Sequence, residues 1–537
     1  MKTMLVALNA RYMHVNLGLR QILCCLEGEV SLYEANINLP FRQVLEHIGR
    51  AAPDAVGFST YIWNAGMVWR LCRALKRALP GVVLFAGGPE ASGDPAAAFA
   101  SCDALDYVLS GEGEQVTGPF LAALGEGRDP AACPGVSCIR GSGLSACPPP
   151  PPMSPGDWPD VWADGRMEGL EGRILYVETS RGCPYHCRYC LSGGAGGVRA
   201  LTEGEALRRL CAMAEGGAKL IKLVDRTFNY DRRRAARIWE GLIRHSARTG
   251  TKARYHFEIG AHLLDEEAFR VLGHAPDGLF QFEAGIQSAN ERALALSGRA
   301  IPFEALRDPL VRLMQLGTIH LHTDLIAGLP GEDLASFGRS FDRVFAIGAP
   351  QLQLGFLKVL PGSGFRRDAG ALGLVYEPDP PYEILRTPDL SFRELCLLKD
   401  VETALGWYHG SGRYPLSLKY LLETHSPFAL FLDMGRRLRR MGALDSPKKE
   451  KDRADLLLQL YPLGPMPDLI AWDAFTLRGG RDLPSSIDRA EDEELRALLR
   501  QQFHPVRGQR ARRCRWDVEA YARGGALEER ERVIFGE

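Results

Sequence analysis

The length, composition and charge of the chain limit what it can be. At 537 residues it is too long for one hydrophobic core, and a typical domain of about 150 residues suggests roughly three units. With 65 Lys and Arg against 66 Asp and Glu, the net charge of −1 excludes a general attraction to nucleic acid or to an anionic membrane. The apolar run at 4–8 is too short for a signal peptide or a membrane span, so we expect a cytoplasmic protein.

Residues 1–145 are predicted to form an N-terminal α/β domain. Short apolar runs alternate there with helical stretches, and the runs are MLVAL (4–8), DAVGFST (54–60), VVLFAGG (82–88) and DYVLSGEGE (106–114). Buried strands separated by helices are typical of a doubly wound, Rossmann-like parallel sheet. Such a sheet places its ligand sites on the loops that follow the carboxyl ends of its strands.

Residues 146–168 are interpreted as an interdomain linker. Cys147 is followed by five prolines, 148–152, and then by the sequence MSPG at 153–156. Proline removes a backbone donor and fixes φ, so this stretch can form neither a helix nor a central strand.

Residues 169–375 are predicted to form a central barrel. Six βα units follow one another, with strands predicted at ILYVET (174–179), KLIKLVD (219–225), ARYHFEI (253–259), LFQFEAG (279–285), IHLHTDLIAG (319–328) and QLQLGFLKVL (351–360). Such a series closes most naturally into a full or partial parallel barrel of the TIM type. From 376 to 537 the sequence becomes rich in helical segments, and we expect a third, mainly helical domain there.

Three closely spaced cysteines follow the first predicted barrel strand. Cys183, Cys187 and Cys190 are separated by four and three residues, so their thiolates can bind three irons of a [4Fe–4S] cubane and leave the fourth iron open. A zinc site is the alternative, with His186 as the fourth ligand. His186 lies inside the same loop, where its reach to the same ion is awkward.

This CxxxCxxC pattern, with Tyr189 before its last cysteine, resembles the radical S-adenosylmethionine (AdoMet) superfamily. The resemblance implies that Cys183, Cys187 and Cys190 hold a [4Fe–4S] cluster whose open iron binds AdoMet. It also implies that an electron from the cluster cleaves AdoMet to methionine and a 5′-deoxyadenosyl radical, and that an external one-electron reductant of the flavodoxin or ferredoxin type supplies it. A sulfonium is hard to reduce, so a closed site at a barrel mouth suits this chemistry.

Segments at the ends of later strands extend the resemblance: VDRTFN (224–229), EAGIQS (283–288), DLIAGLPGE (324–332) and KVLPGS (358–363). It implies AdoMet contacts for Tyr189, Asp225, Glu283, Gln287, Asp324 and Gly328. Glu283 and Gln287 are expected to hydrogen-bond its ribose or amino group, and Gly328 to admit its adenine. The alternative for each residue is an ordinary polar position at a strand end.

Alternating polar residues mark one face of two predicted strands. His320, His322 and Asp324 share a face because side chains alternate along a strand, and the run at 254–258 shows the same pattern. These side chains could transfer protons in the barrel lumen, or they could satisfy buried polar neighbours.

The first domain resembles the cobalamin-binding domain that precedes the barrel in a large branch of the superfamily. The loops at 9–18, 59–64, 87–90 and 111–114 stand at the carboxyl ends of its predicted strands. The resemblance implies cobalamin contacts for Asn9, Ser59, Thr60, Gly87, Gly88, Gly111 and Glu112. Glycines would admit the corrin and its nucleotide tail, and the two hydroxyls could donate hydrogen bonds.

One motif of that domain is missing. The Asp-x-His-x-x-Gly signature, whose histidine binds cobalt, is absent, because residues 9–18 read NARYMHVNLG. We therefore do not expect His14 to ligate cobalt, and the lower face would be left to other residues or to water.

The C-terminal segment resembles a bacterial subgroup defined by domain of unknown function 4080, through WYHGSGRY at 407–414. That resemblance carries no known activity. Two groups of arginines could neutralise phosphates, although such groups are more often solvated helix faces, so nucleic acid is not an expected partner. They are Arg436, Arg437, Arg439 and Arg440, and Arg507, Arg510, Arg512, Arg513 and Arg515.

Cobalamin beside a radical-generating cluster suits the methylation of an unactivated carbon, because methylcobalamin can give its methyl group to a substrate radical. We therefore expect a cobalamin-dependent radical AdoMet enzyme that C-methylates a small-molecule, peptide or nucleotide substrate. Radical ring closure or rearrangement, methylthiotransferase-like RNA modification and a non-catalytic cobalamin sensor are the alternatives. A methylthiotransferase would need a second cluster, and Cys24, Cys25, Cys72 and Cys102 are poorly spaced for it.

Overall fold

The chain, in a computed structural model, divides into two compact units. The structure describes residues 1–163, 167–192, 197–299, 301–462, 464–478, 483–484, 487 and 510–536. The first unit comprises Met1–Gly285, Leu294–His320 and Phe356–Pro388, and the second comprises Ile286–Ala293, Leu321–Gly355 and Asp389–Glu537. Among the described residues, no helix combines the length and the apolar character needed to cross a membrane.

A seven-stranded sheet opens the first unit, and its strands run in the order β2-β1-β3-β4-β5-β6-β7. The strands are β1 (Thr3–Asn9), β2 (Val30–Asn36), β3 (Ala55–Ser59), β4 (Val83–Gly87), β5 (Tyr107–Leu109), β6 (Val136–Arg140) and β7 (Gly143–Ala146). The first five are parallel, and β6 and β7 are antiparallel at one edge. The predicted doubly wound sheet is confirmed, with β2, β6 and β7 added to the four strands read from sequence.

Helices cover both faces of this sheet. They are α1 (Leu17–Cys24), α2 (Phe41–Ala51), α3 (Ala65–Ala78), α4 (Pro89–Gly93), α5 (Pro95–Ser101) and α6 (Gly113–Gly125). Met4, Val6 and Leu8 pack in one apolar cluster, while Leu5 and Ala7 pack in another. Because alternate residues of β1 enter different cores, this strand is apolar throughout rather than at every second position.

The proline-rich segment is packed against the rest of the first unit. Trp158 and Trp162 are 2% and 5% exposed. Arg209 donates from Nη2 to the Trp158 carbonyl at 2.8 Å and from Nη1 to the Pro159 carbonyl at 3.0 Å. The segment read as a linker is therefore fixed along its described residues by buried indoles and by hydrogen bonds to its carbonyls.

Parallel βα units follow in the first unit. The strands are β8 (Ile174–Val177), β11 (Leu220–Leu223), β12 (Arg254–Glu258) and β13 (Phe280–Gln287), which pair in that order, and a short hairpin of β9 (Ser180–Arg181) and β10 (Arg199–Ala200) follows β8. The helices are α7 (Glu203–Glu215), α8 (Arg232–Thr249), α9 (Glu266–Leu272), α10 (Glu291–Leu296) and α11 (Phe303–Gln315). Phe280 and Phe282 are fully buried, whereas Gln281 and Glu283 on the other face are half-buried. The expectation of a central parallel sheet is confirmed.

The remaining elements complete the two units. They are β14 (His320–Ala327), α12 (Leu334–Phe345), β15 (Gln351–Phe356), α13 (Gly364–Asp368), β16 (Val375–Tyr376), β17 (Ile384–Arg386), α14 (Phe392–Tyr408), α15 (Pro415–Leu422), α16 (Pro427–Arg440), α17 (Glu450–Leu460), α18 (Met466–Arg478), β18 (Arg510–Cys514), α19 (Val518–Ala522) and β19 (Arg532–Gly536). The C-terminal region is mainly helical, as expected, with an antiparallel pair of β18 and β19 that the sequence did not indicate.

Candidate active site

The three cysteines lie on the loop between β9 and β10, directly after β8. Those two short strands pair antiparallel and close the base of the loop. Gly182 has φ +93, and a Cβ at this position would lie 2.2 Å from the Gly197 carbonyl oxygen. Only glycine therefore fits between the strand and the first cysteine.

The three thiols meet different neighbours. Cys183 Sγ lies 3.7 Å from Thr227 Oγ1, and Cys190 Sγ accepts from the Ser192 amide at 3.4 Å. Cys187, which is 8% exposed, lies with its Sγ 3.9 Å from Nη1 of Arg299. All three cysteines are free thiols.

No three His, Cys, Asp or Glu side chains within the described ranges converge on a single-ion site. A tetrahedral zinc requires such convergence, whereas each thiolate of a cubane binds a different iron. Three free thiols on one loop, each able to bind its own iron, are the donor set of a [4Fe–4S] cluster.

Arg299 is a site residue that the sequence analysis missed. It lies just after α10, not at a strand end, so its position gave no signal. Its guanidinium is buried beside Cys187, donates to the Gly285 carbonyl, and has an Nε with no hydrogen-bond partner among the described residues. A buried cation beside Cys187 is suited to an anionic ligand.

Asp225 is fully buried and holds the start of the cysteine loop. Its carboxylate accepts from the Thr179 amide at 2.9 Å, from Thr179 Oγ1 at 2.6 Å and from Ser180 Oγ at 2.7 Å. Burial raises the pKa of Asp225, against the lowering effect of these donors. The structure thus places Asp225 as a tie between the ends of β8 and β11.

Glu283 takes part in a polar cluster on the half-buried face of the central sheet. His256 Nε2 lies 2.9 Å and Lys222 Nζ lies 3.4 Å from Glu283 Oε2. The hydrogen bond from His256 is the main reason that the pKa of Glu283 falls to about 2, and Lys222 adds to it. On β8, which pairs with β11, the Tyr176 hydroxyl lies 2.6 Å from His14 Nδ1.

Glu258 is one of the alternating polar residues that the sequence marked at 254–258. It pairs in register with Glu283 and ends β12, and no described residue hydrogen-bonds its carboxylate. Burial raises the pKa of Glu258 to about 7.

The remaining expected AdoMet contacts differ in their environments. Tyr189 is largely buried in the first unit. The second unit holds Gln287 (φ +73), Asp324 on the half-buried face of β14, and Gly328 (φ +89).

A cavity of about 170 Å³ lies at the carboxyl ends of the strands in the first domain. Four of the expected cobalamin contacts line it: Ser59, Gly87, Gly88 and Gly111. Asn16 and Tyr61 also line it, on loops that the sequence indicated without singling out these residues. Its apolar lining comes from Leu5, Leu19, Ile22, Phe85, Leu109 and Val116.

The glycines are needed for the shape of this cavity. Gly88 has φ +96, and a Cβ there would lie 2.7 Å from the Thr60 carbonyl oxygen. A Cβ on Gly113 would lie 2.4 Å from the end of the Ile22 side chain, so a larger residue there would require this side chain to move.

The other expected cobalamin contacts do not line the cavity. Thr60 is fully buried, and its hydroxyl donates to the Gly87 carbonyl at 2.7 Å and accepts from the Ala91 amide at 3.0 Å. Asn9 donates from Nδ2 to the His14 carbonyl at 3.0 Å. Both side chains thus hold neighbouring loops in place.

Glu112 instead belongs to a charged group at the base of the cysteine loop. The Arg181 guanidinium reaches three carboxylates, with 3.0 Å from Nη1 to Glu112 Oε1, 2.5 Å from Nη2 to Glu114 Oε1 and 2.8 Å from Nε to Glu178 Oε2. Arg199 Nη2 lies 2.6 Å from the same Glu112 Oε1. Arg181, Arg199, Glu112, Glu114 and Glu178 together form the clamp.

The clamp is largely shielded from solvent, since the Arg181 side chain is 10% and the Glu114 side chain 7% exposed. Burial alone would lower the pKa of Arg181, but the carboxylates of Glu178 and Glu114 raise it above its ordinary value. Burial likewise opposes ionisation of Glu112, whose pKa is nevertheless lowered, mainly by Arg199. Arg181 and Glu112 are thus stabilised in their charged forms, whereas burial raises the pKa of Glu178.

The cysteines needed for a second cluster are not gathered. Cys72 and Cys102 are fully buried, and the Cys102 thiol donates to the Trp69 carbonyl at 3.8 Å, whereas Cys25 is exposed at the end of α1. In the C-terminal region, the basic groups pair with carboxylates: Arg437 with Asp433, Arg439 with Asp400 and Asp445, Arg512 with Asp468, Arg513 with Glu531, and Arg515 with Glu529. Arg507 lies outside the described residues.

Three family models match the chain in succession. Residues 4–118 match the B12 binding domain, residues 177–344 match the radical SAM superfamily, and residues 371–511 match a protein family of unknown function, DUF4080. The chain therefore contains a B12-binding domain, a radical SAM domain and a DUF4080 domain, in that order.

Curated relatives and a solved structure agree with this assignment. The chain is 27% identical over 66% of its length to 2-(S-pantetheinyl)-carbapenam-3-carboxylate methyltransferase of Streptantibioticus cattleyicolor, covering 55% of that protein. It is 27% identical over 54% of its length to the cobalamin-dependent radical SAM methyltransferase TokK of Streptomyces tokunonensis, covering 44% of that protein. The chain therefore spans about half the length of these curated relatives.

The fold resembles that of the cobalamin-dependent S-adenosylmethionine radical enzyme OxsB, solved with aqua-cobalamin and S-adenosylmethionine bound. The TM-score is 0.66 at 15% identity, with 93% of this chain and 83% of that chain covered. Similarity at this level of identity concerns the fold alone, and it extends over nearly the whole chain.

Proposed function

We propose that this protein is a cobalamin-dependent radical AdoMet enzyme that methylates an unactivated carbon. The observation that carries the proposal is the placement of a three-cysteine loop and a glycine-lined cavity in one compact unit, joined through the segment 111–114. The methyltransferase names of two relatives support methylation as the outcome. Ring closure or rearrangement would use the same sites.

Cys183, Cys187 and Cys190 are proposed to hold three irons of a [4Fe–4S] cluster. AdoMet bears a carboxylate and an amino group, and the buried guanidinium of Arg299 beside Cys187 would pair with the carboxylate. The Glu258 carboxylate, free of other hydrogen bonds in the described chain, would accept from the amino group or a ribose hydroxyl. Tyr189, Gln287, Asp324 and Gly328 remain proposed AdoMet contacts, while Asp225 and Glu283 are assigned to positioning these groups.

The cavity in the first domain is proposed to receive part of cobalamin. At about 170 Å³ it is smaller than a whole corrin, but a cavity of about 150 Å³ can hold a benzene ring. An apolar lining with backbone and hydroxyl groups at one end fits the flat base of the nucleotide tail. Ser59, Gly87, Gly88 and Gly111 would contact it, and the corrin would lie over the carboxyl edge of the sheet.

When bound, the cluster supplies the electron that cleaves AdoMet, and cobalamin supplies the methyl group. The chain itself contributes binding and exclusion of water. Arg299 and Tyr189 are largely buried next to the cysteine loop, so charge interactions there are strong and water is displaced. An external one-electron reductant of the flavodoxin or ferredoxin type is proposed as partner, and the substrate is proposed to be a small molecule, peptide or nucleotide.

Anaerobic reconstitution tests the proposal. Full-length protein given iron and sulfide should carry one [4Fe–4S] cluster, bind hydroxocobalamin, and release 5′-deoxyadenosine from AdoMet with a strong reductant. The variant Cys183→Ala/Cys187→Ala/Cys190→Ala should lose the cluster and this release. A Cys211→Ala/Cys396→Ala variant controls for thiol loss elsewhere. A full cluster in the triple variant would contradict the assignment.

The substrate can be sought separately. Mass spectrometry of metabolites that accumulate in a strain lacking the gene would give candidates, and the methylated counterpart should be depleted there. A difference between accumulated and missing compound of one methylene group would support methylation. A difference of two hydrogens or a rearranged skeleton would favour ring closure or rearrangement instead.

A further inference from the structure

The Glu112 carboxylate is already engaged by three protein donors. Its Oε1 accepts from both Arg181 and Arg199, and its Oε2 accepts from the Met153 amide at 2.6 Å. The residue therefore satisfies protein donors on three sides. Its role must be sought in the groups that it joins.

Glu112 joins two like charges on the hairpin that closes the cysteine loop. The register of β9 and β10 places Arg181 directly opposite Arg199, and like charges in that position repel. Glu112 Oε1 lies 3.0 Å from one guanidinium and 2.6 Å from the other. A carboxylate from the first domain thus stabilises the base of the loop on which Cys183, two residues beyond Arg181, begins the cluster motif.

The segment that supplies this carboxylate also lines the cavity. Gly111, Gly113 and Glu114 face the cavity, and Glu112 and Glu114 both bind Arg181. Glu114 therefore both lines the cavity and binds Arg181. A ligand that fixes residues 111–114 from the cavity side would therefore fix the partners of Arg181 on the other side.

The far side of the clamp is also anchored in the first domain. Glu178 Oε2, which accepts from Arg181 Nε at 2.8 Å, also accepts from Gln21 Nε2 on α1 at 3.1 Å. The Trp158 ring lies 4.6 Å from the Arg181 guanidinium carbon. Arg181 is thus held by Glu112 and Glu114 of the first domain, by Trp158 of the connecting segment, and by Glu178, which is itself bonded to Gln21 of the first domain.

We propose that the clamp couples the two cofactor sites: cobalamin in the first domain favours the arrangement of the cysteine loop that holds the cluster, and the cluster favours cobalamin. Arg181 is the central positioning residue, acting on Cys183 through the backbone. The inference rests on the proposed function, because it requires both cofactors. Coupling of two binding equilibria is reciprocal by thermodynamic necessity.

Cobalamin affinity measured with and without the cluster tests this. Full-length protein is prepared anaerobically in two forms, iron-depleted and reconstituted, and each is titrated with hydroxocobalamin. We expect binding at least about fivefold tighter in the reconstituted form, the lower end of usual coupling between sites. Reciprocally, hydroxocobalamin should slow the loss of cluster iron to a chelator.

Variants of the clamp residues test whether the clamp carries the coupling. Arg181→Gln should bind hydroxocobalamin but bring the affinity ratio of the two forms to about one. Arg181→Lys keeps the charge without the forked geometry and should keep only part of the ratio. Glu114→Gln gives an independent test if Arg181→Gln does not fold. Arg237→Gln, which breaks an exposed pair with Glu203, should keep the full ratio.

The possible failures are distinct. Equal hydroxocobalamin affinity in both wild-type forms, or a full ratio in Arg181→Gln, would overturn the coupling and leave the proposed function standing. No hydroxocobalamin binding in either form would overturn the proposed function and the coupling together.

Discussion

Glu258 and Glu283 are neighbouring carboxylates with opposite properties. Glu258 is the last residue of β12, and it pairs in register with Glu283 within β13. His256 and Lys222 donate to Glu283 and lower its pKa to about 2, whereas burial without a donor raises the pKa of Glu258 to about 7. One side chain is therefore a fixed charge, and the other can carry a proton at neutral pH. This difference is why Glu258 is the better candidate to exchange hydrogen bonds with a ligand.

Glu258 should make stability depend on pH. Its pKa is about 7 in the folded protein against an ordinary 4.5, so the folded state holds the proton more tightly, and the free energy of unfolding falls as pH rises across that interval. Between pH 4.5 and 8, the free energy of unfolding of iron-free wild type, measured by urea denaturation, should fall by about 3 kcal/mol more than that of Glu258→Gln. The exposed Glu267→Gln should behave like wild type. Equal losses in wild type and Glu258→Gln would show that this carboxyl is not buried as described.

At the scale of elements, the chain that follows β8 is held in place by a residue that follows β11. Asp225 follows β11 and receives three hydrogen bonds from Thr179 and Ser180, which lead into the cysteine loop. Gly182 then permits the turn toward Cys183. The position of the cysteine loop is thus set by a buried carboxylate, which bonds to Thr179 and Ser180, and by the glycine that precedes Cys183.

Asp225→Asn tests this tie between strands. The amide would turn a donor toward groups that already donate, and an unsatisfied buried group costs about 1–3 kcal/mol. The variant should unfold at a lower urea concentration, because its free energy of unfolding should be about 2–3 kcal/mol below that of wild type. It should also lose cluster iron faster than wild type. Asp231→Asn is the matched control, since Asp231 caps α8 at an exposed position where asparagine caps equally well. Similar destabilisation by both substitutions would argue against the tie.

At the scale of the whole molecule, two cofactor sites on one chain predict a product ratio. Methylation by the proposed route consumes one AdoMet as methyl donor and another as source of the radical, so S-adenosylhomocysteine and 5′-deoxyadenosine should form in about equal amounts with saturating substrate. Liquid chromatography with mass spectrometry measures both. Cobalamin-free protein should still release 5′-deoxyadenosine slowly. If 5′-deoxyadenosine formed with substrate but without S-adenosylhomocysteine, methyl transfer would be excluded in favour of ring closure or rearrangement.

Several features could be predicted from the sequence because they depend on local pattern. The six barrel strands are present where apolar runs indicated them, and the cysteine spacing marked the loop that follows β8. By contrast, β2 was missed because most of its residues are only half-buried, which leaves no continuous apolar run. The C-terminal pair β18 and β19 was missed because its arginine-rich sequence reads as a charged surface.

The roles of single polar residues were decided by the tertiary structure. The sequence by itself determined that a three-cysteine loop follows a strand and that glycine-rich loops end the strands of a preceding α/β domain. It could not show that Glu112 faces Arg181 and Arg199, since these residues are far apart in the chain and meet only after both domains fold. The same holds for Arg299 beside Cys187 and for the donors to Glu283. A strand's pattern fixes which face a side chain takes, but its partner comes from another element, and that partner decides charge, hydrogen bonding and role.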